Sequence, residues 1–327
     1  ASEKGPGSGG AATVMHARSA PDLPSQGTAG ITFPRCVPAA ACGPAPDRPQ
    51  PRTVPPQPST IRPFNSRLLP DFGELWQYRE LVWTFAARDL RLRYRQTVLG
   101  VLWVVIQPII AAGVFTFVFG KVAQLDDGDG RYFLLAFAGY AGFQVFQSTL
   151  AKAGASLLSN SHVLTKVYFP RLVLPLSGIL STLVDVGVAL VVFGATALVK
   201  GVSVGWPVLL FPVWVLLALV LGLGLGLVVA AWSVRFRDVQ HVLPIVMQLL
   251  VYATPVGYAT SKVPAAFRPW LALNPLSGLM DGIRWSLLGM QPPSVGATLW
   301  LGIASLSATA AGLLVFHRFE QDLADVI

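Results

Sequence analysis

Six long apolar stretches, each with at most one charged residue, follow one another along the chain from residue 98 onward. They contain between 17 and 28 residues, and a helix needs about 20 residues to cross a hydrocarbon core about 30 Å thick. Their positions are 98–120, 133–150, 172–199, 208–231, 242–258 and 297–316. The pattern therefore predicts an all-α polytopic membrane protein with six transmembrane helices, in a domain that covers 98–327.

A helical pattern of a different kind occupies 71–97, just before the first apolar stretch. Asp71 and Glu74 have the spacing of a helix-capping box. Apolar residues then recur at helical spacing, with polar and basic residues opposite them; the apolar set is Tyr78, Val82, Phe85 and Leu92, and the polar set is Glu80, Thr84, Arg88, Arg91 and Arg95. We expect an amphipathic interface helix on the cytoplasmic membrane surface, its apolar side in membrane lipids and its basic side towards headgroups or a partner.

The segment 263–290, between the fifth and sixth stretches, is too interrupted to span a membrane and too apolar for a free loop. Asn274 and Pro275 break it, and it contains Asp281 and Arg284. We expect a re-entrant outer hairpin of two short helices whose ends are shielded by other spans. The candidate outer-gate residues are Tyr258, Trp270, Arg284 and Trp285, although an interfacial aromatic belt explains the aromatic positions equally well.

Residues 1–70 form a separate region that contains 14 of the chain's 26 prolines. Such a segment buries too little apolar surface to offset its ordering entropy, so we expect a disordered Pro-rich tail. Both cysteines, Cys36 and Cys42, lie in it. Without a nearby pair of histidines, their spacing favours reduced cysteines with no functional role over a metal site.

Composition agrees with a membrane protein, since 53% of the residues are hydrophobic, 12% are charged and the mean hydropathy is +0.58. The net charge of +8 does not indicate a nucleic-acid partner, because residues 1–70 supply seven basic and three acidic residues and most of the rest flanks apolar stretches. With the amino terminus inside, eleven Lys and Arg residues from Arg79 onward lie on the cytoplasmic side and six outside. We therefore expect both termini in the cytoplasm.

Catalytic and cofactor-binding signatures are absent from the sequence. No phosphate-binding G-x-x-x-x-G-K-[ST] motif occurs, and the four histidines are too dispersed for a metal site. The run Gly222-Leu-Gly-Leu-Gly226 lies inside the fourth predicted span, where small residues permit close helix packing. We expect no cofactor or metal on this chain and no ATP hydrolysis by it.

The segment 155–171 joins the second and third predicted spans on the cytoplasmic side. Its polar residues, Ser159 to His162, lie between the apolar pairs Leu157-Leu158 and Val163-Leu164. A short amphipathic helix of this kind can seat in a groove on a cytosolic partner. A plain connecting turn is the alternative.

One helical stripe in the second predicted span consists of aromatic rings followed by amides; its members are Phe133, Phe137, Tyr140, Gln144 and Gln147. Rings contact the C–H faces of sugars and amides bind their hydroxyls, so the stripe suits a substrate pathway for a glycan. Packing between spans explains it equally well. Asp185 is the carboxylate inside a span, and it requires a partner, water or a proton because an uncompensated charge at that depth costs about 2.5 to 3.5 kcal/mol. We favour a structural or gating contact for it.

Several motifs, in order from residue 74 to the end, resemble the ABC-2 type permeases that export lipid-linked polysaccharides, most closely the O-antigen and teichoic-acid branch. They are the run Glu74 to Leu81, Arg88-Asp89, Arg93 to Gly100, Trp103 to Pro108, Leu164 to Leu172, Phe236-Arg-Asp238, Asn274-Pro275, Gly282 to Trp285, Phe319-Glu320 and Ala324 to Ile327. The Pro-rich tail departs from the family pattern.

The resemblance implies a half-transporter in the bacterial inner membrane. Two copies of this chain form one pathway for a lipid-linked glycan, and each is seated on a separate ATPase subunit that binds ATP and Mg. In that family the surface helix and the loop between spans two and three contact the ATPase, which implies coupling roles here for Arg88, Arg91, Arg95, Ser156, Asn160, His162 and Lys166. An ABC-2 exporter of a drug or simple lipid is the closest alternative; a secondary transporter or a membrane glycosyltransferase is less consistent with the pattern.

Overall fold

The computed structural model describes residues 72–95, 102–124, 131–164, 169–202 and 205–326, which all belong to one compact unit, Phe64–Ile327. The predicted tail over 1–70 and the two cysteines lie outside these ranges. The helices are α1 Phe72–Gln77, α2 Arg79–Arg95, α3 Leu102–Phe115, α4 Tyr132–Ser159, α5 Ser161–Leu164, α6 Val173–Val199, α7 Phe211–Arg235, α8 Val239–Ala253, α9 Arg268–Leu273, α10 Pro275–Leu288 and α11 Val295–Val326. A π-helical segment, Thr116–Val122, continues α3, and 3-10 turns cover Trp206–Leu210, Thr260–Lys262 and Ala265–Phe267.

Five helices in the described ranges are long and apolar enough to cross a membrane, which confirms a multi-pass, all-helical membrane protein. Their candidate spans are Leu102–Val122, Tyr132–Ser159, Val173–Val199, Trp206–Arg235 and Val295–Phe319. They correspond to the first four predicted spans and to the last one. The helix for the second span runs nine residues further than predicted, so Lys152 lies within it and not in a flanking loop.

The predicted span 242–258 is wrong beyond Ala253, where α8 ends. Thr254 has an extended backbone, with φ −105° and ψ 143°, because the proline that follows disfavours the helical region at the residue before it. The 15 residues of α8 measure about 22 Å at 1.5 Å per residue. That length is less than a hydrocarbon core, so a sixth complete span is not confirmed.

Helix α4 forms the centre of the bundle and packs against α7, α6, α10 and α3. Its fully buried side chains include Leu134, Phe137, Phe143, Phe146 and Leu150. The glycines of the run in α7 are what permit its close packing: a Cβ atom on Gly222 would lie 2.8 Å from the Phe146 carbonyl oxygen, and one on Gly224 would lie 2.5 Å from the backbone of α11. The packing role predicted for this run is confirmed.

Helix α2 packs part of its predicted apolar side against protein, so a position of that side in lipid is not confirmed. It packs mainly on α6. Phe85 is buried and its ring centroid lies 5.8 Å from that of Phe169, whereas Leu92, assigned to the same apolar side, is 59% exposed. The apolar side of α2 therefore completes a protein core at this end of the bundle, which we call the α2 end.

The segment that follows α8 contains the two short helices expected between the fifth and sixth stretches. Helices α9 and α10 are separated at Asn274, whose side-chain oxygen accepts a hydrogen bond from the Leu276 backbone N–H and so caps α10. Helix α10 is largely buried against α4, α11 and α7, and α9 is mostly exposed. Tyr132, at the start of α4, lies near this segment, so we call this the hairpin end.

Candidate coupling and transport sites

The two segments predicted to contact an ATPase meet at the α2 end. The Arg88 guanidinium donates a hydrogen bond from Nη2 to Oδ1 of Asn160, at 2.6 Å, and pairs with Asp89 at 2.9 Å. It also lies 4.8 Å from the Phe85 ring centroid. A charge-assisted bond combined with ring stacking fixes the guanidinium in one orientation. Helix α2 is therefore joined directly to the end of α4.

Asn160 makes this junction because it terminates α4. Its backbone leaves the helical region, with φ −113° and ψ 19°, and its side-chain N–H donates to the Ser156 carbonyl oxygen at 2.9 Å. The amide thus caps α4 with one end and binds Arg88 with the other. Ser156 is buried, and its hydroxyl donates to the Ala153 carbonyl.

The other predicted coupling residues are Arg91, Arg95, His162 and Lys166. Arg91 and His162 are exposed. The side chain of Arg95 and the whole of Lys166 lie outside the part of the chain whose placement the structure describes. In the predicted partner-binding segment 155–171, residues 155–159 belong to α4, and the short helix α5 is a single turn, Ser161–Leu164.

An apolar cluster that includes Phe85 lies next to the Arg88 contact. It contains Phe85, Leu157, Phe169, Val173, Leu174, Leu227, Ala230 and Phe316. These residues come from α2, α4, α6, α7, α11 and the connection before α6, so one apolar cluster connects α2 with four long helices. The sequence pattern identified Phe85 but could not identify its partners.

Asp185, the predicted intramembrane charge, forms an ion pair with Lys152. The Lys152 ammonium lies 3.1 Å from Oδ2 of Asp185 and donates to the Thr182 hydroxyl at 3.1 Å. The two side chains are 26% and 16% exposed, respectively. A charged pair with an additional hydrogen bond meets the requirement of a carboxylate at this depth. Lys152 was missed as the partner because the sequence pattern placed it beyond the end of the second span.

The predicted substrate-pathway stripe divides into two groups. Tyr140 and Gln144 are half-buried and line a cavity between α3, α4, α6, α7 and α10, to which Phe137 and Asp185 also contribute. Phe137 is 1% exposed and lies between the rings of Phe133 and Phe193, at centroid distances of 6.2 and 6.1 Å.

Gln147, the last member of the stripe, is half-buried and lies outside that cavity. The cavity measures about 60 Å³. In this conformation Phe133 and Phe137 therefore pack helices together, and Tyr140 and Gln144 face this small cavity.

The turn after α8 is held by side chains from two other helices at the hairpin end. Arg284, 2% exposed on α10, donates to the backbone carbonyl oxygens of Val256 at 2.7 Å, Tyr258 at 2.9 Å and Leu135 at 3.4 Å. The Tyr132 hydroxyl donates to the Gly257 carbonyl at 2.5 Å. Non-helical backbone within a membrane protein requires such internal partners, because lipid supplies none.

The close approach of α4 to this turn depends on Gly139. A Cβ atom there would lie 2.3 Å from the Val256 carbonyl oxygen and 2.7 Å from Nη2 of Arg284. Burial lowers the pKa of the Arg284 guanidinium to about 10, with Asp281 opposing that change, so the group is charged at neutral pH. Burial also raises the pKa of the Asp281 carboxyl, which its hydrogen bond from Thr260 and the charge of Arg284 partly offset.

Asn274 ties the two short helices to the end of α8. Its side-chain N–H donates to the Thr254 hydroxyl at 3.0 Å and lies 3.5 Å from the Ala253 carbonyl oxygen. The same side chain caps α10, so one amide serves both helix ends. The sequence marked Asn274 only as part of a helix break, because its partners lie 20 residues away.

The remaining predicted outer-gate residues have different environments. Trp285 is half-buried and meets Trp206 edge to face, with ring centroids 5.8 Å apart. The ring centroid of Tyr258 lies 5.8 Å from that of Phe119, and the Trp270 side chain is 74% exposed. Within the described ranges, His, Cys, Asp and Glu side chains form no group of three that could hold a metal ion.

The apolar helices, with an ion pair enclosed among them, define a multi-pass membrane protein. Residues 80–288 match the family model described as ABC-2 type transporter, and the chain belongs to that family. It is therefore a permease-type transport subunit.

Three relatives align with most of the chain. It is 32% identical over 257 residues to the O-antigen export system permease protein RfbA of Myxococcus xanthus, covering 78% of this chain and 98% of the relative. It is 26% identical to the protein of the same name from Klebsiella pneumoniae, covering 76% and 95%. It is 22% identical to the polysialic acid transport protein KpsM of Escherichia coli, covering 72% and 91%.

Proposed function

We propose that this chain is the transmembrane subunit of an ABC exporter that moves a lipid-linked polysaccharide across a bacterial cytoplasmic membrane. The observation that carries the proposal is the alignment with nearly the full length of relatives named as O-antigen and polysialic acid transport proteins. Two copies of the chain form the pathway, and each is seated on one copy of a separate ATPase that binds ATP and Mg. The chain itself is a permease and not an enzyme.

The proposed orientation places the α2 end in the cytoplasm and the hairpin end outside. Helix α4 runs between the two ends, with Tyr132 at one and Asn160 at the other. Helix α8 and the turn after it form the fifth of six crossings in chain order, and α9 and α10 form the re-entrant hairpin. Support comes from the side-chain partners of that turn, which let an irregular backbone lie at membrane depth.

The proposed coupling site is the junction of α2 with α4. Closure of the ATPase dimer displaces α2 and the 155–171 segment together, because the bond from Arg88 to Asn160 and the stacking of Phe85 on Phe169 join them. The apolar cluster beneath them passes the displacement to α7 and α11. Tyr140 and Gln144 then face a pathway that opens beyond the small cavity of this conformation.

The test of this function is reconstitution in liposomes with the ATPase that copurifies with the chain. We expect ATP-driven movement of a lipid-linked glycan into the lumen and stimulation of ATP hydrolysis by that glycan, with no comparable stimulation by amphiphilic drugs. A variant ATPase that cannot hydrolyse ATP is the matched control. Failure to recover any ATPase partner would exclude the ABC mechanism, and stimulation only by drugs or simple lipids would favour the alternative substrate class.

Replacing Arg88 with methionine should uncouple the transporter. The change removes a charge-assisted hydrogen bond worth about 1.5 to 3 kcal/mol, so we expect glycan export to fall about tenfold or more while the basal ATPase rate stays near normal. Asn160→Leu should have a similar effect, and the double variant should be little worse than either single one, because both changes remove the same contact.

The matched control for that experiment is Arg79→Met, which removes the same charge from an exposed position at the start of α2. It should retain most of the export activity. Equal loss in the Arg79 and Arg88 variants, or full additivity of the Arg88 and Asn160 changes, would show that the basic charge of α2 matters and not its bond to α4.

A further inference from the structure

An open groove lies at the hairpin end, in the part of the chain that the structure describes. It has a volume of about 570 Å³, within the range of small-molecule sites, and is nearly ten times larger than the central cavity. It lies between the end of α8 and the segment that leads into α9. Its lining residues are Leu250, Ala253, Tyr258, Val263, Phe267, Trp270, Leu271, Leu273 and Asn274.

The lining of this groove suits an apolar chain and not a sugar. Apart from Trp270, only Tyr258 and Asn274 among the lining residues have polar side chains. The Asn274 amide is already engaged with Thr254, Ala253 and the start of α10. A sugar unit would leave most of its hydroxyls without partners, which is costly in an apolar site. Phe267 and Trp270, 61% and 74% exposed, instead offer large apolar surfaces at the mouth.

Basic side chains stand at the edge of the groove. Lys262 precedes the lining residue Val263, and the Arg268 guanidinium donates from Nε to the Val263 carbonyl oxygen at 3.0 Å. Both side chains are exposed. The acid of this region, Asp281, is half-buried and accepts a hydrogen bond from Thr260 at 2.8 Å. Between 254 and 294 the sequence contains Lys262, Arg268 and Arg284 against Asp281 alone, a net charge of +2.

We propose that this groove binds a membrane lipid with an anionic phosphate headgroup, its apolar chain lying along Phe267 and Trp270 and its phosphate at Lys262 and Arg268. Charge complementarity selects the headgroup, because basic residues at a membrane surface attract anionic lipids. The apolar lining of the groove favours the hydrocarbon chain of the lipid. Export activity plays no part in this inference, so lipid binding can be measured on the permease without its ATPase.

The experiment is lipid photocrosslinking on the full chain in nanodiscs made of an equal mixture of phosphatidylglycerol and phosphatidylcholine. A benzophenone amino acid at position 267 should capture phosphatidylglycerol about fivefold or more above its share of the bilayer, as measured by mass spectrometry. The matched control is the same amino acid at position 299, where Leu299 on α11 is also 61% exposed, and it should capture the two lipids in proportion to their abundance.

Two further arms distinguish a lipid site from nonspecific contact with the bilayer and from a site for free phosphate. Lys262→Gln with Arg268→Gln should abolish the enrichment at position 267 while leaving total crosslinking yield unchanged. Soluble glycerophosphate at millimolar concentration should not compete, because it has no chain. Equal capture of both lipids at position 267, enrichment that survives the double substitution, or effective competition by glycerophosphate would each overturn the proposal.

Discussion

Replacing Arg284 with methionine should produce the largest loss of folded protein among single substitutions in the hairpin. The change leaves the carbonyl oxygens of Val256 and Tyr258 without their buried donor and removes a longer contact with the Leu135 carbonyl oxygen in α4. At about 1 to 3 kcal/mol for each of the two unsatisfied groups, the cost is about 2 kcal/mol or more, a large part of the stability of an ordinary domain. We expect a sharp fall in the amount of protein that remains monodisperse on size-exclusion chromatography after mild heating.

Two variants serve as controls for the Arg284 prediction. Arg268→Met removes an arginine of the same hairpin whose side chain is exposed, and its thermal stability should be close to that of the unmodified protein. Arg284→Lys keeps the charge but not the planar arrangement of donors, so it should recover only part of the loss. If Arg284→Met were as stable as Arg268→Met, the guanidinium would not be what holds the turn.

Arg284 also illustrates where sequence reasoning succeeds and where it stops. Its position in an interrupted apolar segment identified it as unusual, and the predicted re-entrant hairpin suggested an outer gate. The sequence does not show that the guanidinium binds backbone carbonyls, because two of its partners lie in the turn after α8 and the third in α4. Backbone acceptors have no residue-type signal, so contacts of this kind have no signature in a sequence.

Helix lengths account for most of the other differences between the sequence pattern and the structure. The lengths of the apolar stretches located the five long helices, since the length of a span is set by the thickness of the membrane. Charge was a poor marker of where they end. Lys152 was assigned to a loop because it is basic, although the helix continues to Ser159 around it. Leu92 was assigned to the same apolar side as Val82 and Phe85, but those two pack in the apolar cluster at the α2 end while Leu92 is 59% exposed.

The ion pair between Lys152 and Asp185 gives the second large expected effect. Asp185→Leu leaves the Lys152 ammonium without its carboxylate, and Lys152→Met leaves the carboxylate without its ammonium. Removing one partner of a fully buried pair costs about 3 to 5 kcal/mol. We expect about 2 to 4 kcal/mol here, because the side chains are 26% and 16% exposed and solvent screens part of the charge. Each single variant should therefore lose thermal stability in the same chromatographic assay.

The double variant, Lys152→Met with Asp185→Leu, separates a structural contact from a role in transport. Apolar residues of similar size commonly replace a buried pair without loss of stability, so we expect the double variant to recover most of the stability that each single variant loses. Because the pair joins α4 to α6 as a structural contact, we also expect export within a few-fold of normal. A double variant that is stable but exports less than about a tenth of the normal amount would show that the pair itself acts on the substrate or on opening of the pathway.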